Sequence, residues 1–170
     1  MTFELAIKRS DPPYVAPEPE SLAAWLDWHR ATLLTKLDGL SEEQARYSPV
    51  PSGTSLLGLV KHLTECEHYW IARCVAEVDE PALFITEADP EADTKVTPDD
   101  TIERIVAGYL KACARSRELI AAIADLDETR ALRDGTTDVR WVLTHMVEET
   151  ARHNGHADII RELIDGVTGE

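Results

Sequence analysis

Apolar residues return at intervals of three and four in four separate stretches of this chain, parted by prolines, glycines and acidic runs. That spacing is helical, and it constrains the fold more than any other feature. The first stretch runs from about Glu20 to Leu40, where Leu22, Trp25, Leu26, His29, Leu33 and Leu37 recur. "SPVPSGTS" breaks it with two prolines and a glycine. The second runs from about Thr54 to Val78, with Leu56, Leu59, Val60, Leu63, Trp70, Ile71 and Cys74 along one side. The acidic segment "DEPALFITEADPEADTKV" then reads as a surface excursion or a pocket lid.

Thr97-Pro98-Asp99-Asp100 predicts the start of a third helix: a hydroxyl cap, a proline at the first helical position, then acids near the positive helix end. That helix should run to about Ala124, before the polar, turn-rich "DLDETRALRDGTTD". A fourth is expected from about Asp138 to Asp165, with Gly166 as its left-handed stop. Alternating strand patterns are absent. The expected fold is all-α, an up-down four-helix bundle over residues 20–170 with a long connection between helices 2 and 3, after an N-terminal lead of residues 1–19.

Composition narrows the function. At 170 residues, with 44 % apolar and 29 % charged side chains, the chain has the size and balance of one soluble domain. A net charge of −15 without a compensating basic stripe argues against nucleic acid and anionic membranes as partners. No run is apolar enough to span a bilayer, and the first residues lack an export signal. Cys66, Cys74 and Cys113 do not form a disulfide framework, so a cytoplasmic protein with reduced thiols is expected.

The chemistry gathers on the fourth helix. Val139, Val142, Leu143, Met146, Ile160 and Ile164 share one sector, and Glu148, Arg152 and Glu162 lie opposite. Glu149 and His153 fall on the edge of the apolar sector, one turn apart, so both can point at one object. A carboxylate there needs a partner, because burying it ionised and alone is costly. A divalent metal would serve, and so would a simple Glu149–His153 pair at the rim. On the second helix His62 flanks the apolar stripe beside Cys66 and Tyr69; alone it reads as a packed, hydrogen-bonded histidine, but facing Glu149 and His153 it becomes a candidate third ligand. Three protein ligands and one open position describe a catalytic metal site.

"SGTSLLGLVKHL" and "EETARHNGHADIIREL" together resemble the DinB-like superfamily of metal-binding four-helix bundles, closest to its actinobacterial branch. Many relatives carry His-x-x-x-His followed by Arg-Gly-Gln on the late helix. Here the matching stretch is Glu149-x-x-x-His153 followed by Asn154-Gly155-His156, similar to the glutamate-first pattern of mycothiol-dependent maleylpyruvate isomerases. The resemblance implies a divalent metal, zinc or else nickel, held by His62, Glu149 and His153. It also implies a mycothiol-type thiol, a homodimer, and a transferase or isomerase acting on small electrophiles. His156 matches the relatives' glutamine and is a candidate to support the ligands or to be a fourth one. His145 reads first as a cavity-lining or capping residue, and either histidine is a candidate to accept a proton in catalysis. A non-catalytic metal- or ligand-binding bundle is the alternative.

Other residues are read as structural. Cys66 is a small core residue unless its thiolate ligates. Trp25, Trp28, Tyr69 and Trp70 are core or interface anchors, and His29 has no motif around it. Glu67, set among Val60, Leu63, Ile71 and Cys74, is left without an assigned role, an arginine across a helix or dimer contact being one partner that would satisfy it.

Overall fold

A computed structural model describes residues 2–169, and the chain is mostly helical. Helix α1 spans Glu18–Thr35, α2 Glu42–Arg46, α3 Leu56–Cys66, α4 Ile102–Ala121 and α5 Val139–Asp165. From α3 the chain continues without a break into a π-helical stretch, Glu67–Val75. Inside that stretch the turns are wider by one residue, and Ala76 N–H reaches back to Ile71 O at 2.9 Å. Helix α1 packs on α5, α3 on α4 and α5, and the π-helical stretch on both α4 and α5. Leu33, Leu37, Leu57, Leu63, Ile71, Tyr109, Val142 and Met146 fill the space between them and are almost fully buried.

The structure departs from the sequence reading in three places. Helix α2 is additional, and it is closed by a capping box: Ser41 Oγ accepts from Gln44 N–H at 3.3 Å while Gln44 Oε1 accepts from Ser41 N–H at 2.9 Å. The polar stretch before α5 folds into a hairpin, β1 Thr129–Leu132 against β2 Gly135–Asp138, with Thr129 opposite Asp138 and Leu132 opposite Gly135. Arg130 of β1 donates to Val75 O at 2.7 Å and so closes the end of the π-helical stretch. The third correction is the start of α4, where Thr101 rather than Thr97 is the cap. Thr97 N–H and Oγ1 donate instead to Asp100 Oδ2 at 2.8 and 2.9 Å. Asp100 also takes the buried Lys61 ammonium at 3.0 Å, which fixes a turn ahead of the helix.

The other ends follow the sequence more closely. Asp138 caps α5 through Trp141 N–H, and Gly166 ends it at φ 80° in the left-handed region. The N-terminal lead lies against the helices: Phe3 N–H donates to Leu40 O at 2.9 Å, and Phe3, Leu5 and Ile7 pack on the core.

Glu67, the misplaced acid of the second helix, meets Arg30 of α1. Arg30 Nε and Nη2 donate to its two oxygens at 2.7 and 2.5 Å, and both side chains are almost fully buried. Burial works against the guanidinium's charge, but the adjacent carboxylate outweighs it and raises the Arg30 pKa. Arg30 also donates to Asp27, so the charge is shared. Replacing one partner strands the other without water. Glu67→Leu alone should therefore cost about 3–5 kcal/mol, and the double substitution Glu67→Leu with Arg30→Met should recover most of it, read as urea midpoints at constant m.

Candidate metal centre

The seam between α3 and α5 carries the histidines. His62 on α3 and His153 on α5 face each other with ring centroids 4.9 Å apart and planes at 73°. Between them lies Glu149, whose Oε1 is 3.3 Å from His62 Nε2 and 3.0 Å from His153 Nε2. One donor atom from each of the three lies within 4.8 Å of the other two, so together they could hold a metal ion. Helical spacing brings Glu149 over His153, and packing of α3 on α5 brings in His62 from 87 residues away in sequence.

The carboxylate is buried, and its surroundings compensate. Burial pushes the Glu149 carboxyl up; the hydrogen bond with His62, then the neighbouring His153 and Arg152, outweigh it and bring it below the usual range. Arg152 Nη2 donates to its outer oxygen at 3.1 Å. Burial lowers His153, with Glu149 opposing, which favours the neutral imidazole a cation needs.

His62 has a second partner. Its Nδ1 lies 2.7 Å from Asp93 Oδ2, and Asp93 is buried although it belongs to the acidic loop between the π-helical stretch and α4. A carboxylate there accepts the Nδ1 proton and fixes the ring with Nε2 turned toward Glu149, the nitrogen that a cation would take in place of a proton. This is the support that metal-binding histidines ordinarily have. Gly58 makes the approach feasible: a Cβ at that position would sit 2.7 Å from the carbonyl oxygen of Thr94, the residue after Asp93. Lys61 adds a further tie by donating to Lys95 O at 2.7 Å.

The remaining candidates divide. His156 is exposed, one turn beyond His153, with its Nδ1 3.4 Å from His153 Nδ1. His145 stands outside the three-residue cluster, stacked on Trp141 at 5.0 Å and edge-on to Trp70 at 4.8 Å, with Glu148 beside it. Cys66 Sγ lies 3.5 Å from His62 Nε2, but burial, then the charges of Glu149 and Asp93, push its thiol far up and keep it protonated. His29 packs among Trp25 and Trp28, where its carbonyl oxygen accepts from Asn154 at 3.0 Å. A cavity of about 540 Å³ opens beside the cluster, with His62, His153 and His156 on one side and Arg46, Ser52, Thr54 and Lys95 among its other walls.

These features define a class: a mostly helical protein with a histidine–glutamate–histidine cluster at a helix seam, facing a cavity. Residues 21–166 match the family described as mycothiol-S-transferase, a DinB-like family, and the chain belongs to it. A crystal structure described as the conserved protein of locus from Enterococcus faecalis superimposes with a TM-score of 0.71 over 90 % of this chain and 100 % of that one. At 15 % identity, that likeness shows a shared fold. No curated protein matches the sequence.

Asp93 gives this geometry a direct check. Nitrogen-15 spectra of zinc-loaded protein should show His62 protonated at Nδ1 and unprotonated at Nε2, and Asp93→Ala should weaken that preference. Gly58→Ala should do the same more weakly by displacing Thr94. An unchanged His62 in both variants would mean the loop does not orient the ring.

Proposed function

We propose that this protein is a divalent-metal-dependent S-transferase that joins a mycothiol-type thiol to a small electrophile. The observation that carries the reading is the convergence of His62, Glu149 and His153 from two helices. In this reading the helices α1, α3 with its π-helical continuation, α4 and α5 make up the DinB-like four-helix bundle. Family membership supports the thiol, and the donor set supports the cation.

The donors suit the group. Two imidazoles and one carboxylate, with room for a further ligand, match zinc first and nickel second. A bound divalent cation would supply acidity, lowering the pKa of a thiol or water that it holds. The protein's own residues do the rest. Asp93 holds His62 with Nε2 turned to Glu149, and Arg152 tempers the charge of Glu149 through its outer oxygen. S-transfer breaks the S–H bond, forms a bond from sulfur to an electrophilic carbon and expels that carbon's leaving group as an anion (bromide for a bromoalkyl probe), so the thiol proton must be taken up. In this reading His156, exposed at the cavity wall, receives that proton. His145 is the second candidate base, and its ring is held one turn along the seam by Trp70 and Trp141. The Ser52 and Thr54 hydroxyls, 2.9 Å apart at the cavity wall, suit a polar thiol. Cytoplasmic location fits three free, buried cysteines, and a homodimer completes the reading.

Protein purified without an affinity tag should take up close to one equivalent of zinc or nickel. Glu149→Gln and His153→Ala should abolish uptake, and Asp93→Ala should weaken it about 10- to 100-fold. Loaded protein should join mycothiol to an electrophile such as monobromobimane above the uncatalysed rate. Metal uptake without turnover over a broad panel of thiols would favour a non-catalytic binding protein instead.

A further inference from the structure

A second cavity, of about 550 Å³, lies between α3 with its π-helical continuation, α4 and the first part of the acidic loop. It shares no lining residue with the cavity beside the histidine cluster. Its size is that of a small-molecule site. Leu83 and Phe84 of the loop and Ile105 and Ala112 of α4 are among its lining residues, which gives it apolar wall on both elements.

Its rim is cationic in a chain whose net charge is −15. Arg104, Lys111 and Arg115 line one side along α4. The only acids among its lining residues are Glu67, already neutralised by Arg30, and Glu80. Glu80 shows how the rim treats a carboxylate. Arg115 grips it through two hydrogen bonds, at 2.7 and 3.0 Å, and His68 Nδ1 lies 3.9 Å away. The Arg115 hydrogen bonds first, then the charges of Arg115, His68 and Lys111, hold the Glu80 carboxyl below its usual range. Lys111 makes no ion pair of its own among the described residues.

The loop that forms this wall is fastened. Leu83 and Phe84 N–H both donate to the buried Glu65 carboxylate, at 3.2 and 2.7 Å, and His68 Nε2 donates to Pro81 O at 2.8 Å. Phe84 also lies under the Lys61 ammonium, 5.0 Å from its ring centre. The cavity is therefore built, with an apolar body and a cationic corner already shaped around one carboxylate.

We propose that this cavity binds a small organic monocarboxylate with an aromatic or branched apolar body. Lys111 and Arg115 take the carboxylate, in place of or beside Glu80, and the body lies between Phe84 and Ile105. The site stands apart from the histidine cluster and does not depend on a metal.

The probe is 4-phenylbutyrate, titrated calorimetrically into the chelator-treated chain, with 4-phenylbutan-1-ol as the uncharged control. The acid should bind and the alcohol should bind at least about tenfold more weakly, the loss expected for hydrogen bonds to a charged group. Amide shifts should centre on Gly108 and Ala112. Lys111→Ala, at an exposed position, should weaken binding about tenfold, and Glu80→Gln should strengthen it by freeing Arg115. His153→Ala should leave it unchanged. Equal binding of acid and alcohol, indifference to Lys111→Ala, shifts centred on His62, or no binding at millimolar concentration would each overturn the proposal.

Discussion

A carboxylate taken out of water must find positive charge or hydrogen-bond donors, and Glu149 is where that requirement shapes this protein most. It sits at the seam of α3 and α5 with 8 % of its surface exposed. Two imidazoles and a guanidinium surround it, and each comes with a structural obligation. His62 requires α3 at a fixed rotation, His153 requires an unbroken helix below, and Asp93 requires the acidic loop to return to the seam. The packing of the two helices and the course of the loop are therefore parts of one electrostatic arrangement.

Elsewhere the protein answers the same requirement with pairs. Arg30 neutralises Glu67 between α1 and the π-helical stretch, Lys61 neutralises Asp100 ahead of α4, and Glu65 is satisfied by backbone N–H groups of the loop. These ties join different elements rather than neighbours on one helix. They fix which face of each helix turns inward, where apolar packing alone would tolerate small rotations.

The helices were legible because their apolar faces repeat. Glu149 and His153 were legible because a carboxylate and an imidazole one turn apart interrupt such a face. His62 could be joined to them by family resemblance. Asp93 could not, since Glu87, Asp89, Glu91 and Asp93 look alike in sequence and only the approach of Thr94 to Gly58 singles one out. Arg30 was equally silent, because its partner lies 37 residues away. The small elements did leave signals: Ser41 with Gln44 is a capping-box pattern, and Gly135 between threonine-bearing runs directly follows the hairpin turn at Arg133-Asp134. The false start of α4 has a clear cause. Thr97-Pro98 fits a helix entry locally, but Asp100 is held by Lys61 in a way no local pattern records.

The fastening points of the acidic loop divide it unequally. Its beginning is moored at Glu65 and His68, and its end at Gly58, His62 and Lys61. Asp89 and Glu91 tie the segment to Lys95 and Thr94 at the wall beside the histidine cluster, whereas residues 85–88 are exposed and line neither cavity. Chain length can change there without moving either wall, so a peptide tag or reporter spliced into that span would ride outside both cavities.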